Sequence, residues 1–71
     1  MNEFIIDYTQ QAQMTADHWK RYVIRNKIKE CKAQGFSQSQ ALEKVNRELP
    51  IEGINETINL SRVKYYWSES R

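Results

Sequence analysis

Apolar residues return every three or four positions through the middle of this chain, the repeat of a helix with one buried side. Between residues 15 and 34, Ile24, Ile28 and Cys31 form one stripe, and Trp19 and Val23 form another beside it. Thr15 is placed to cap the start, Asp17 sits in the first turn at the positive end of the helix dipole, and Gly35 is a natural stop. A second helix begins at Ser37-Gln38-Ser39-Gln40, which spells a capping box, with Phe36 and Ala41 where a hydrophobic staple packs. Ala41, Leu42, Val45 and Leu49 then share a face, while Glu43, Lys44, Arg47 and Glu48 point outward. Pro50 ends this helix at or before Leu49. A third, short helix is expected over about residues 60–68, capped by Asn59 or Ser61. Leu60, Val63 and Trp67 share its apolar face, with Tyr66 at the edge and Trp67 in the core; Arg62, Lys64 and Tyr65 are left for solvent or a partner.

The remaining segments carry weaker patterns. Phe4, Ile5, Ile6 and Tyr8 favour a short extended arm, because strand formers are concentrated there; Phe4, Tyr8 and Ala12 would also lie on one face of a helix. Residues 50–59 read as a connector whose Ile51, Ile54 and Ile58 turn back onto the core, with a short strand or an extra turn as alternatives. The pattern therefore predicts one mainly α domain over residues 1–71. Its N-terminal extended arm covers 1–14, and a three-helix, helix-turn-helix-like core covers 15–68.

Composition narrows the class. With 71 residues the chain supports one small core, and two glycines with one proline disfavour a many-turned β fold. A single cysteine, Cys31, excludes an internal disulfide and fits a reducing compartment. No apolar run approaches membrane-spanning length, and the first residues lack the basic and apolar regions of a secretion signal, so a cytoplasmic location is expected. His18 and Cys31 are the only histidine and cysteine, too few for a metal site of His and Cys ligands. No phosphate-binding loop, dinucleotide fingerprint or paired-carboxylate arrangement is present. The expectation is a binding protein with no cofactor and no catalytic apparatus.

Charge distribution says more than the net +2. Lys20, Arg21, Arg25, Lys27, Lys29 and Lys32 form a basic stretch broken only by Glu30, and Arg21, Arg25, Lys29 and Lys32 fall at helical spacing away from the apolar stripe. Such a row is either a solvated face or a surface that meets phosphates.

The segment IKECKAQGFSQSQALEKVNRE, Ile28 through Glu48, resembles the helix-turn-helix region of serine recombinases and resolvase-like regulators. The likeness lies in Gly35, Ser37, Ala41, Leu42, Val45, Asn46 and Arg47. Leu60-Ser61-Arg62-Val63-Lys64-Tyr65-Tyr66-Trp67 is similar to the recognition helix of that group, and Val63 to Tyr66 also looks like the aromatic recognition helix of MerR-type regulators. The link between the second and third helices is longer than a simple helix-turn-helix allows, and no recombinase catalytic domain is present. The resemblance implies DNA binding alone, as in a small transcriptional regulator or recombination accessory factor. Ser61, Arg62, Lys64 and Tyr65 would then enter the major groove of double-stranded DNA, with Arg21, Arg25, Lys29 and Lys32 near its backbone.

The competing expectation is a protein-interaction module, such as a phage- or plasmid-type inhibitor docking on a host protein. Its motive is the share of large aromatics and the apolar arm. A homodimer formed through the arm is compatible with either function.

Overall fold

A computed structural model describes residues 5–69. Three helices, α1 (Ala16–Ala33), α2 (Gln38–Glu48) and α3 (Leu60–Ser68), form its body, and each packs against the other two. Two 3₁₀ turns, Tyr8–Gln13 and Leu49–Glu52, precede α1 and follow α2.

The helix ends form by local chemistry. The Thr15 hydroxyl accepts from the His18 N–H at 3.1 Å to open α1. At its close Phe36 N–H bonds Cys31 O at 3.0 Å and Gly35 N–H bonds Lys32 O at 3.1 Å, a Schellman pair that requires the left-handed φ of 88° at Gly35. Two residues later the capping box is complete: Gln40 N–H donates to Ser37 Oγ at 3.2 Å, and Ser37 N–H donates to Gln40 Oε1 at 2.9 Å. Pro50 falls at the start of the second 3₁₀ turn, where its missing N–H costs little. Gly53 closes that turn with the same bonding scheme, Ile54 N–H to Leu49 O and Gly53 N–H to Pro50 O.

The core gathers Trp19, Val23, Ile24, Ile28 and Cys31 from α1, Ala41 and Val45 from α2, Leu49 and Ile54 from the connector, and Val63 and Tyr66 from α3. Val23, Ile24, Ile28, Val45, Leu49 and Val63 are fully enclosed. Each such side chain contributes roughly 1.5–3 kcal/mol through loss of apolar surface to water.

Four expectations change. The extended arm does not persist to residue 14: residues 5–7 carry no helix or strand, and a 3₁₀ turn starts at Tyr8. Asp7 causes this by accepting from Thr9 N–H (3.0 Å) and Thr9 Oγ1 (2.6 Å). The segment is also docked rather than free. Tyr22 Oη accepts from Asp7 N–H, the Tyr8 ring lies 5.8 Å from Trp19, and Ile6 and Met14 pack on the core. Residues 1–4 of the expected arm, Phe4 among them, lie outside the described residues. On α3 the inward residues are Val63 and Tyr66, three apart, so Trp67 is half-buried and Leu60 is exposed. In the connector Ile54 is buried and Ile58 half-buried, but Ile51 is 79% exposed, because the second 3₁₀ turn carries it to the outside. Finally, Arg25 is half-buried and Lys29 only 6% exposed, because α3 covers the side of α1 that the apolar stripe left free.

A Gly35→Ala substitution should cost about 1 kcal/mol, wholly from the positive φ, since an added Cβ meets nothing within 4 Å. Ser37→Ala should cost a similar amount, ~1 kcal/mol, by leaving the Gln40 N–H uncapped. Urea melts of both variants test the two values, and a loss below about 0.3 kcal/mol would remove the capping account.

Candidate nucleic-acid interface

Asn59 sets the start of α3 by accepting from the Arg62 N–H at 3.1 Å. Asn46, on α2, fixes where that start lies. Its side-chain amide donates to Ile58 O (3.0 Å) and accepts from Ile58 N–H (2.7 Å), clamping the connector just before the helix. With Val63 and Tyr66 buried, the outward arc of α3 carries Ser61, Arg62, Lys64, Tyr65 and Ser68. At about 100° per residue, Ser61, Tyr65 and Ser68 form a central ridge, and Arg62 and Lys64 flank it about 160° apart. Tyr65 is 64% exposed. Ser68 turns its hydroxyl back to Lys64 O and Tyr65 O, which leaves Ser61 and Tyr65 as the free polar groups on the ridge.

The basic row of α1 is mostly engaged. Arg21 pairs with Asp17 at 2.9 Å and remains exposed. Arg25 Nε donates to Glu69 Oε1 at 2.8 Å. Lys29 donates to the Glu69 backbone carbonyl at 2.6 Å, and Lys32 donates to the Trp67 carbonyl at 2.8 Å with its ammonium 5.9 Å from the Trp67 ring centre. Three α1 cations thus gather at the negative end of α3, where Lys29 and Lys32 satisfy carbonyls that a helix C-terminus leaves unpaired and Arg25 holds the Glu69 carboxylate. The bond from Arg25, with the charge of Lys29 behind it, holds the Glu69 carboxyl below its ordinary range. Among the described residues, Arg47, Arg62 and Lys64 are the cations with no acidic or carbonyl partner.

Of the sequence-selected residues, the structure brings Ser61, Arg62, Lys64 and Tyr65 to one exposed arc. Arg25, Lys29 and Lys32 converge at the other end of the same helix, seven residues or about 10 Å beyond Arg62 along the axis. Glu69 is invisible to a sequence reading because its partners lie some forty positions back along the chain, and no local pattern reports such a pair.

Two features elsewhere on the surface carry less chemistry. A cleft of about 500 Å³ lies between the first 3₁₀ turn and residues 52–56, with Trp19, Met14 and Ile54 among its walls. Lys20 bridges it to Glu56 at 2.5 Å and to Asp17 at 3.4 Å. Bonds from Arg21 and then Lys20 pull the Asp17 carboxyl down, so it stays ionised, unlike a carboxyl poised to donate a proton. Burial pushes the Cys31 thiol up, away from nucleophilic reactivity. Among the described residues no group of three His, Cys, Asp or Glu is placed to hold a metal ion, and no helix is long and apolar enough to cross a membrane.

A second charged network ties the body together. Lys27 bonds Glu48 (2.9 Å) and approaches Glu52 (3.4 Å), Lys44 bonds Glu48, and Tyr8 Oη donates to Glu52 Oε1 at 2.8 Å. Burial alone would lower the Lys27 pKa, but Glu48 and Glu52 outweigh it and the net shift is upward. Burial would raise Glu48, yet Lys44 and Lys27 draw it below its ordinary value. The Glu52 carboxylate raises the Tyr8 phenol.

These groups define a small, mainly α, three-helix domain with a cationic, tyrosine-bearing last helix. No family model matches the chain, and no curated protein or solved structure matches it either.

The charged network sets the pH dependence. Glu48 titrates lower in the folded state, so its contribution is full above the ordinary glutamate pKa of about 4.3 and is lost as pH falls through the depressed value. Lys27 and Tyr8 titrate higher, so theirs is full below about pH 10 and is lost as pH rises through the elevated values. The melting temperature should be level between about pH 6 and 9 and fall on both sides. Glu48→Gln should shrink the acid limb. Melts followed by circular dichroism across pH check this, and an acid limb unchanged in the variant would detach Glu48 from it.

Proposed function

We propose that this protein binds double-stranded DNA by laying α3 in the major groove, as a small regulator or accessory factor. The observation that carries the reading is the outward arc of α3: two cations without acid partners, Arg62 and Lys64, on either flank of a Ser61–Tyr65 ridge. Nine residues make a helix about 13 Å long, comparable to the groove width of about 12 Å. Cations on both flanks suit a probe that meets a phosphate wall on each side, while the ridge faces the base edges. The ion pairs point the same way. Among the described residues, Arg62 and Lys64 of α3 and Arg47 of the neighbouring helix are the cations with neither an acid nor a carbonyl partner, while Arg25, Lys29 and Lys32 share the single carboxylate of Glu69 at the far end of α3. The helix-turn-helix resemblance over Ile28–Glu48 supports the same reading. The connector from Leu49 to Asn59 is its departure from a simple helix-turn-helix, and the Asn46 clamp on Ile58 makes that connector a rigid spacer.

A second reading, docking on a protein, has one observation in its favour. Ile51 projects 79% exposed beside the exposed Pro50, and Ile5 is 65% exposed. Ile51→Gln, which removes the apolar knob without changing charge, should leave DNA affinity unchanged if α3 is the working surface. If the chain self-associates or docks through this knob, the variant should instead lower its sedimentation coefficient or partner binding.

The double variant Arg62→Ala/Lys64→Ala should retain its melting temperature within a few degrees, since both side chains are exposed. It should bind duplex DNA at least tenfold more weakly at about 100 mM salt, with a salt slope shallower by roughly 1.8, because two fewer phosphates are neutralised and each accounts for about 0.9. Fluorescence anisotropy across a salt series measures both quantities. Equal affinity and slope in variant and wild type would refute the assignment.

A further inference from the structure

The three α1 cations around the end of α3 form a positive cluster whose partners come from within the chain. Arg25, Lys29 and Lys32 bring three positive charges to residues 67–69, and among the described residues one carboxylate, Glu69, pairs with this cluster. The division of labour is uneven. Lys29 is buried and bonded to a backbone carbonyl, and Lys32 is likewise spent on a carbonyl, so both serve the helix end. Arg25 is different: it is partly exposed, and its bonded partner is a side-chain carboxylate that is itself only partly covered. A carboxylate on a guanidinium occupies the place that a phosphodiester oxygen would take, with similar bond length and the same charge. Glu69 follows α3 directly, so a duplex lying along that helix brings its backbone within reach of this pair.

We propose that Glu69 acts as an internal phosphate mimic, holding Arg25 out of the DNA interface and setting the affinity of the α3 surface below what its cations allow. This rests on α3 being the DNA-contacting helix. In the resting protein Arg25 stays on Glu69, so it releases no counterion from DNA. With the carboxylate neutralised, Arg25 turns to the nearest phosphate and becomes a third backbone anchor beside Arg62 and Lys64. The device gives the protein a graded affinity: whatever removes the charge at position 69 tightens binding without altering the reading ridge.

The test compares Glu69→Gln with Glu43→Gln, which removes the same charge from an exposed position on α2 with no ion pair. Anisotropy titrations of the full chain on random duplex DNA span a salt series, and circular dichroism melts confirm that each variant folds. Glu69→Gln should bind roughly three- to fivefold more tightly at low salt, with a slope steeper by about 0.9. Glu43→Gln should leave the slope unchanged, and adding Arg25→Ala to Glu69→Gln should return both affinity and slope to the wild-type values. Equal gains in the two single variants would reduce the effect to net charge and overturn the proposal. An unchanged slope in Glu69→Gln would overturn it as well, while the Arg62/Lys64 variant still reports separately on α3. A wild-type chain with no affinity for duplex DNA at any salt would defeat both readings at once.

Discussion

α1 has to serve two neighbours at once, and most of the molecule follows from that. Val23, Ile24 and Ile28 are wholly enclosed because α2 and α3 both lie against this one helix. A helix pressed from two sides has little surface left, so polar residues in its middle need partners inside the fold. Asn26 bonds back to Tyr22 O, Lys27 reaches Glu48, and Lys29 reaches the end of α3. Among the described residues no buried side-chain nitrogen or oxygen lacks a partner. Complete pairing matters in a domain this small, where one unsatisfied buried charge removes a large share of the total stability.

The same constraint explains how a nine-residue helix stays formed. Isolated helices of that length are marginal in water, and α3 has no glycine to close it. Val63 and Tyr66 anchor its inner side, Asn59 caps its first turn, and lysines from α1 supply donors at its last. Basic residues from a different helix thus join the Ser68 hydroxyl in satisfying the last carbonyls of α3. The arrangement has a functional corollary, because rigid support from behind leaves the outer arc of α3 free of structural duties. Arg62, Lys64 and Tyr65 carry no side-chain bonds that folding needs, and a surface of that kind is available for recognition.

Electrostatics divides the basic residues among the described ones into two populations. Those on α1, with Lys44 on α2, are matched to acids or carbonyls and hold the fold. The unmatched ones, Arg62 and Lys64 on α3 and Arg47 on α2, all stand exposed to solvent.

Local chemistry determined what the sequence could reveal unaided. Thr15, Gly35, Ser37, Gln40 and Pro50 mark helix ends through bonds to residues within five positions, and those ends fall where the sequence puts them. The stripes of α1 and α2 were legible because burial repeats with the helical period. The aromatic docking of Tyr8 on Trp19, the inward turn of Tyr66 in place of Trp67, and the exposure of Ile51 depend on which neighbour arrives, and periodicity carries no information about that. The fate of the basic row shows the difference most clearly. Spacing alone makes Arg25, Lys29 and Lys32 a solvent-facing strip, and only the approach of α3, bringing Glu69 from some forty residues away, turns that strip into an internal contact.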